Sequence, residues 1–226
     1  MTFLTGNEKA ALASQIRQAE SQTSAEIVTI ITDQSDHYRY IPMLWAALLA
    51  LAVPGLYFLY QYLTSHGWTY PGESAETLAR LYYVQVLLFF ALGMLIQYPP
   101  FRFWLIPKSV KHGRAARHAR EQFLLQNLHH MSSRTGVLVF VSVAEHYVEI
   151  IVDSEVAAVV DNDVWVETVE DFISCVKRNE IAEGFTRTID HCNNVLSKTF
   201  PANNVPSNGS AKNDQLPNNL IEIFLD

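Results

Sequence analysis

Cysteine is scarce in this sequence: Cys175 and Cys192 are the only two in 226 residues. Two cysteines do not make the framework of disulfides that holds a small secreted domain together, and their spacing does not match a zinc site. A compartment that keeps thiols reduced suits such a chain. We expect both side chains to lie in the core, on helices.

The sequence also lacks the short motifs by which phosphoryl-transfer enzymes are recognised. It has no P-loop, no Cys-x5-Arg and no Asp-x-Asp-x-Thr/Val, so no nucleophile stands out. It has no EF-hand either, because no starting aspartate is followed by the required glycine and closing glutamate. Arg134, beside Thr135 and Gly136, is a possible phosphate ligand, although fixing a helix end is the simpler role for it.

Positive charge is sparse in the second half of the chain. Residues 121–226 carry sixteen acidic residues against six basic ones. A nucleic-acid-binding domain needs a basic face, so we expect no nucleic-acid partner. Six cations are concentrated instead in residues 102–120, where no acid occurs: Arg102, Lys108, Lys111, Arg114, Arg117 and Arg120. They fit a topology signal with a solvated helix start, or contact with anionic lipid headgroups, and the two roles are compatible.

Charged residues are absent from two long apolar runs in the middle of the chain, residues 41–63 and 81–98. A membrane-spanning helix needs roughly 20 such residues. A buried core helix is the alternative, but aromatic residues gather at the ends of the runs, where interfacial belts lie. We therefore predict a transmembrane hairpin within residues 40–106, with the lipid bilayer as a partner.

The flanking charges predict the orientation of this hairpin. Residues 64–80, between the runs, carry one cation, Arg80, and two acids, whereas the residues after the second run are strongly basic. Lysine and arginine near span ends stay on the cytoplasmic side. The first 26 residues have no apolar h-region, so we expect no signal peptide. The prediction is a multi-pass protein of the inner (plasma) membrane, with both termini and the folded domain cytoplasmic.

Residues 1–39 and 107–200 look like two parts of one soluble domain. A capping box of Thr5 and Glu8 starts a helix that should end near residues 21–24, and residues 26–32 form a β-rich run. After the hairpin we predict a helix at 110–131, strands at 137–143 and 147–153, a short helix from Ser154, a helix capped by Asp163, and a last helix from Ile181 to Phe200. Residues 201–226 are predicted to be a disordered linker followed by a short apolar segment that docks on the domain.

This order of elements predicts an α/β fold, a small mixed sheet covered by helices and interrupted by a two-helix transmembrane hairpin. The second and third strands should be antiparallel, because the turn between them is short. The first and second should be parallel neighbours joined by a crossover, with the hairpin inside that crossover.

Several runs of this chain resemble the TPM domain family, and in particular its bacterial membrane branch, which carries a hairpin inside the domain. They are residues 23–28 (Thr-Ser-Ala-Glu-Ile-Val), 134–142 (Arg-Thr-Gly-Val-Leu-Val-Phe-Val-Ser), Ala144-Glu145, residues 149–153 (Glu-Ile-Ile-Val-Asp), Trp165, and residues 214–218 (Asp-Gln-Leu-Pro-Asn). The resemblance implies a small α/β sandwich; some members bind calcium and some are acid phosphatases. The chain departs from the family at Ser154-Glu155-Val156, where many members have a glycine.

Four acidic residues follow the third predicted strand: Asp153, Glu155, Asp161 and Asp163. Oxygen-rich clusters on loops at strand ends suit Ca²⁺ or Mg²⁺, so these four are the candidate metal ligands. Glu26 could join them only if the sheet ends coincide. Three of the four also have a structural role open to them: Asp163 as a helix cap, Asp161 as a turn residue and Glu155 as an acid in the first turn of a helix.

Two functions follow from these observations. The first is a membrane-anchored interaction or maintenance module of the inner membrane, with no assigned cofactor and an unknown protein partner. The alternative is a divalent-metal-dependent, acid phosphatase-like hydrolase.

Overall fold

The computed structural model describes residues 2–64, 75–96, 103, 105–126, 128, 134–202 and 219–225. In chain order these residues form α1 (Gly6–Gln22), β1 (Glu26–Thr32), α2 (Tyr40–Thr64), α3 (Ala75–Ile96), α4 (Lys108–Leu125), β2 (Gly136–Ser142), β3 (Tyr147–Val152), α5 (Ser154–Val159), α6 (Asp163–Lys177), α7 (Ile181–Thr199) and β4 (Ile221–Ile223). They fall into two compact units: an α/β unit made of Met1–Asp36 with Lys108–Asp226, and a helical unit, His37–Pro107.

The predicted fold class is confirmed: the α/β unit has one mixed sheet with helices packed on it, in the strand order β3-β2-β1-β4. β1 and β2 run parallel over seven residue pairs, from Glu26 opposite Gly136 to Thr32 opposite Ser142. β2 and β3 are antiparallel, as their short turn requires. The fourth strand was not predicted: β4 pairs in parallel with the end of β1.

Helices cover both faces of the sheet because its central strands are apolar on both sides. All seven residues of β1 and all seven of β2 are buried. Ile27 and Ile31 point into a main core shared with α1, α6 and α7, whereas Val28 and Ile30 belong to a second cluster with Ala119 of α4. A strand alternates its side chains between faces, so continuous apolar runs such as these need a helix layer on each side.

Several predicted local features are confirmed in the α/β unit. The capping box at the start of α1 is present, with the Thr5 hydroxyl and the Glu8 carboxylate each bonding the other residue's backbone. Cys175 and Cys192 are free, buried thiols on α6 and α7. One prediction was wrong in detail: the residue before α6 is Asn162, and Asp163 is its first helical residue. Helix α4 ends at Leu125, and residues 127 and 129–131 of the longer predicted helix lie outside the described residues.

The helical unit consists mainly of α2 and α3, the two helices long and apolar enough to cross a membrane within the described residues. Only 22% of the most apolar window of α2 and 6% of that of α3 is buried, so neither helix is enclosed as a soluble core helix would be. Helix α3 begins at Ala75, before the predicted start at residue 81.

Candidate functional site

The four predicted metal ligands lie at the two ends of the short helix α5: Asp153 and Glu155 at its start, Asp161 and Asp163 beyond its end. Asp153 caps α5, its Oδ1 accepting the Ser154 N–H at 2.6 Å, and Glu155 is exposed in the first turn. Asp161 and Asp163 are exposed beyond the far end of the helix. The six residues of α5 span about 9 Å, so the structure does not bring the four together. No group of three or more His, Cys, Asp or Glu side chains in the described residues is arranged to hold a metal ion.

Asp153 instead lies beside the first residues of the parallel strands β1 and β2. Its backbone N–H donates to the Gly136 carbonyl at 2.9 Å, and Gly136 lies opposite Glu26 in the β1–β2 register. The sheet ends therefore coincide, which was the condition for Glu26 to approach Asp153. Asp153 is 8% exposed, and its Oδ2 is a buried oxygen with no hydrogen-bond partner in the described structure. Because β3 is antiparallel to β1 and β2, this is the amino edge of the parallel strands.

The opposite edge, where β1 and β2 end, carries a hydrogen-bonded network that the sequence did not reveal. Ser35 Oγ lies 2.8 Å from Ser142 Oγ, and the Ser142 hydroxyl donates to Glu145 Oε2. The Ser35 N–H donates to Glu145 Oε1 at 3.0 Å. Ser142 and Glu145 are buried. Ligands of open α/β sheets bind outside the carboxyl ends of parallel strands, but here this network joins the loops that follow β1 and β2.

Asp33 fixes the third parallel strand at the same edge. Its Oδ1 accepts the N–H groups of Gln34 and Leu225 at 2.7 and 3.2 Å, and its own N–H donates to the Ile223 carbonyl at 3.3 Å. Hydrogen bonds to a carboxylate are stronger than those between neutral groups, so Asp33 holds both backbone segments firmly. The polar groups at this edge therefore tie β1, β2 and β4 into one rim.

The predicted headgroup-binding cations lie on α4, apart from Arg102, which is outside the described residues. At three-residue spacing each step turns roughly 300° around a helix, so Lys108, Lys111, Arg114, Arg117 and Arg120 wind around α4 rather than forming one stripe. Arg114 pairs with Asp36, Nε to Oδ2, at 3.2 Å. Lys108, Arg117 and Arg120 are exposed.

Arg120, also on α4, interacts electrostatically with Glu149 of β3. Burial raises the pKa of Glu149, and the hydrogen bond from the Tyr147 hydroxyl and the nearby Arg120 oppose that rise. Burial lowers the pKa of the His118 ring, which favours its neutral form, although Glu121 and Glu145 oppose that shift. Of the five α4 cations, Arg114 and Arg120 lie near carboxylates of the α/β unit and Lys111 is half-buried. Lys108 and Arg117 are exposed and form no ion pair with a carboxylate in the described residues.

No protein-family model matches this chain, and no curated protein matches it. Among solved structures, the chain is similar to the NMR structure of the BA42 protein from the psychrophilic bacterium Bizionia argentinensis. The TM-score is 0.55 at 17% sequence identity, and the match covers 98% of this chain and 96% of that one. At that identity the similarity shows a shared fold and carries no function with it.

Proposed function

We propose that this chain is a membrane-anchored, TPM-like protein whose α/β unit acts as an interaction or maintenance module on the cytoplasmic side of the inner membrane. The observation that carries the proposal is the position of α2 and α3 in the chain. Two mostly exposed apolar helices lie within the crossover between neighbouring parallel strands. An exposed apolar surface of that kind needs lipid or protein to cover it.

The positions in the fold of the runs that resemble the TPM family support the same proposal. Residues 23–28 lead into β1, residues 134–142 contain β2, and residues 149–153 close β3. These runs lie on three adjacent strands and surround Gly136, where an added Cβ would come within 2.8 Å of Leu128 Cδ2. The glycine of the Arg134-Thr135-Gly136 run therefore has a packing reason in this chain. Residues 214–218, the last part of the resemblance, lie outside the described residues.

The proposed topology predicts which engineered cysteines are reached from outside the cell. An impermeant maleimide applied to intact cells should label Ser65→Cys or Ser74→Cys, and should label Ser207→Cys only after lysis. The native thiols give a low background, because both are buried and burial raises the pKa of Cys192 to about 12. Labelling of Ser207→Cys in intact cells would place the α/β unit outside and contradict the proposed location.

Contact with anionic headgroups would rest on Arg102 and on the exposed cations Lys108 and Arg117, each worth about 1 kcal/mol near a charged surface. The Lys108→Gln, Arg117→Gln double variant should therefore unfold from vesicles containing phosphatidylglycerol at a lower temperature than the native chain. In phosphatidylcholine vesicles the two should melt together. If the native chain and the double variant melt at the same temperature in both kinds of vesicle, these cations do not bind headgroups and act only as a topology signal.

One observation favours the alternative, a metal-dependent hydrolase: the unpartnered Asp153 Oδ2 at the same edge as Glu26. A cation held there would stabilise the fold by about 2.7 kcal/mol at 100-fold excess over its dissociation constant. It would also have to activate water or a phosphoryl oxygen for hydrolysis.

The two candidates are separated by measuring melting temperature and p-nitrophenyl phosphate turnover with millimolar Ca²⁺, Mg²⁺ or chelator. The interaction module should show neither turnover nor a metal-dependent shift. The hydrolase should show both, and both should be lost in Asp153→Asn, which keeps a capping side chain, but not in the exposed control Asp161→Asn. Metal-dependent turnover that needs Asp153 would overturn the leading proposal.

A further inference from the structure

Strand β3 lies at one edge of the sheet, and its hydrogen-bonding direction can be read from its neighbours. The N–H groups of Asp153 and Glu155 bond back to the carbonyls of Gly136 and Arg134 at 2.9 and 3.3 Å. In an antiparallel pair this direction alternates along the strand. Tyr147, Glu149 and Ile151 therefore turn their backbone groups towards β2, and the residues between them turn theirs away.

The outward residues are Val148, Ile150 and Val152. Within the part of the chain that the structure describes, no strand lies beyond β3 and no hydrogen bond reaches these outward N–H and C=O groups. Such a row is a template for pairing with another strand, and proteins commonly block it with lysine, proline or a bulge. The strand Tyr-Val-Glu-Ile-Ile-Val contains no lysine, proline or glycine, and its register has no bulge.

Glu149 is the one charged residue of β3, and it is engaged within the α/β unit. Its Oε2 accepts the Tyr147 hydroxyl at 2.9 Å, and Arg120 of α4 lies near enough to favour its ionised form. Because Glu149 and Arg120 carry opposite charges, the strand and its nearest cation add little net charge to this edge. An uncharged strand therefore matches it better than an acidic or a basic one.

The side chains beside the edge are apolar on both faces of the sheet. Ile150 and Val152 are partly buried against the main core, as are Val169 and Ile173 of α6. On the other face, Ile151 is partly buried against the second cluster with Phe123 of α4. Each keeps apolar area that a further strand would cover, and β-branched residues suit that position.

We propose that the outer edge of β3 accepts an uncharged, extended segment of a partner protein as a fifth strand, with β-branched residues facing α6 and hydroxyl residues facing Glu149. The main-chain bonds of Val148, Ile150 and Val152 supply the affinity, and the alternating side chains supply the specificity. This inference rests on the proposed interaction function and names the surface that performs it.

A synthetic probe tests the strand geometry directly. The peptide acetyl-Thr-Val-Thr-Val-Thr-Val-Thr-amide, labelled for fluorescence anisotropy, should bind the full chain in detergent. Two further versions carry N-methyl groups on all valines or on all threonines. Because alternate N–H groups of a strand point to the same edge, one version should bind at least about tenfold more weakly and the other nearly as well as the parent. Failure to bind, or equal loss in both versions, overturns the proposal.

Matched variants of the protein locate the site. Ile150→Pro removes one outward N–H and leaves the β2–β3 ladder intact, whereas Ile150→Ala keeps that N–H although it removes more of the side chain. Peptide binding should be lost in the proline variant and retained in the alanine variant, with circular dichroism confirming that both fold. If Ile150→Pro does not fold, the methylated peptides still decide the question.

A second copy of the chain is the competing occupant. If the chain is dimeric in detergent and Ile150→Pro makes it monomeric, β3 pairs with itself and the partner-protein proposal is wrong. Binding is measured in detergent, independently of membrane orientation and of phosphatase turnover. A failed peptide experiment therefore rejects this surface and leaves the proposed interaction function to its own test.

Discussion

A chain that begins at residue 102 and lacks residues 1–39 is expected not to fold, and adding residues 1–39 as a separate peptide should restore the fold. The missing piece includes β1, which pairs with β2 on one side and β4 on the other. All seven residues of β1 are buried. Without it, β2 would become an edge strand and β4 would have no partner in the described sheet.

The size of the expected loss of stability follows from the apolar side chains that residues 1–39 bury. Ile27, Val28, Ile30 and Ile31 are at most 1% exposed, and fully burying one such side chain contributes about 1.5–3 kcal/mol. Helix α1 adds Leu12 and Ile16 to the same main core. Together these six side chains contribute about as much as the typical net stability of a domain, about 5–15 kcal/mol, and the lost strand pairing adds to that loss.

Circular dichroism and thermal melting of residues 102–226 alone, with peptide 1–39, and within the full chain provide the measurement. A peptide carrying Ile30→Asp is the matched control and should not restore the fold, because it would bury an unpaired carboxylate in the second cluster. Cooperative melting of residues 102–226 alone, at the temperature of the full chain, would contradict the split architecture.

The three strands that were predicted from the sequence are those whose own residues, or the turn beside them, form a recognisable pattern. β1 and β2 are seven-residue runs rich in β-branched side chains and buried on both faces, and β3 follows a turn too short for any but an antiparallel return. β4 is three residues long, and its partner is the end of β1, nearly two hundred positions away. No local periodicity can report a pairing that depends on a distant strand edge.

The candidate site was harder to predict, for a related reason. Asp153, Glu155, Asp161 and Asp163 are neighbours in sequence, but the length of helix α5 separates the first two from the last two in space. The network at the carboxyl ends of β1 and β2 shows the reverse: Ser35 and Ser142 are 107 positions apart, with α2 and α3 between them in the sequence, yet their hydroxyl oxygens lie 2.8 Å apart. Only the parallel register of β1 and β2, with Thr32 opposite Ser142, brings them together.

Replacing Gly184 by alanine is expected to destabilise the α/β unit severely, by about 3 kcal/mol, as overpacking a closed core does. Gly184 lies in α7, where an added Cβ would come within 2.3 Å of Phe172 Cδ2 and 3.2 Å of Cys175 Cβ. Phe172 is 1% exposed and packs edge-on against Phe185, with ring centroids 4.8 Å apart, so its ring has little room to retreat.

Gly113→Ala is the matched control for this effect. Gly113 is also inside a helix, α4, but nothing lies within 4 Å of a Cβ placed there. Alanine is the better helix former by about 1 kcal/mol, so Gly113→Ala should raise the melting temperature of the full chain, whereas Gly184→Ala should lower it sharply. Trimming the ring in a Gly184→Ala, Phe172→Leu double variant should cost less than the sum of the two single changes, because the clash and the ring are removed together. Equal melting of the two single glycine variants would show that α6 and α7 are not packed as closely as these distances require.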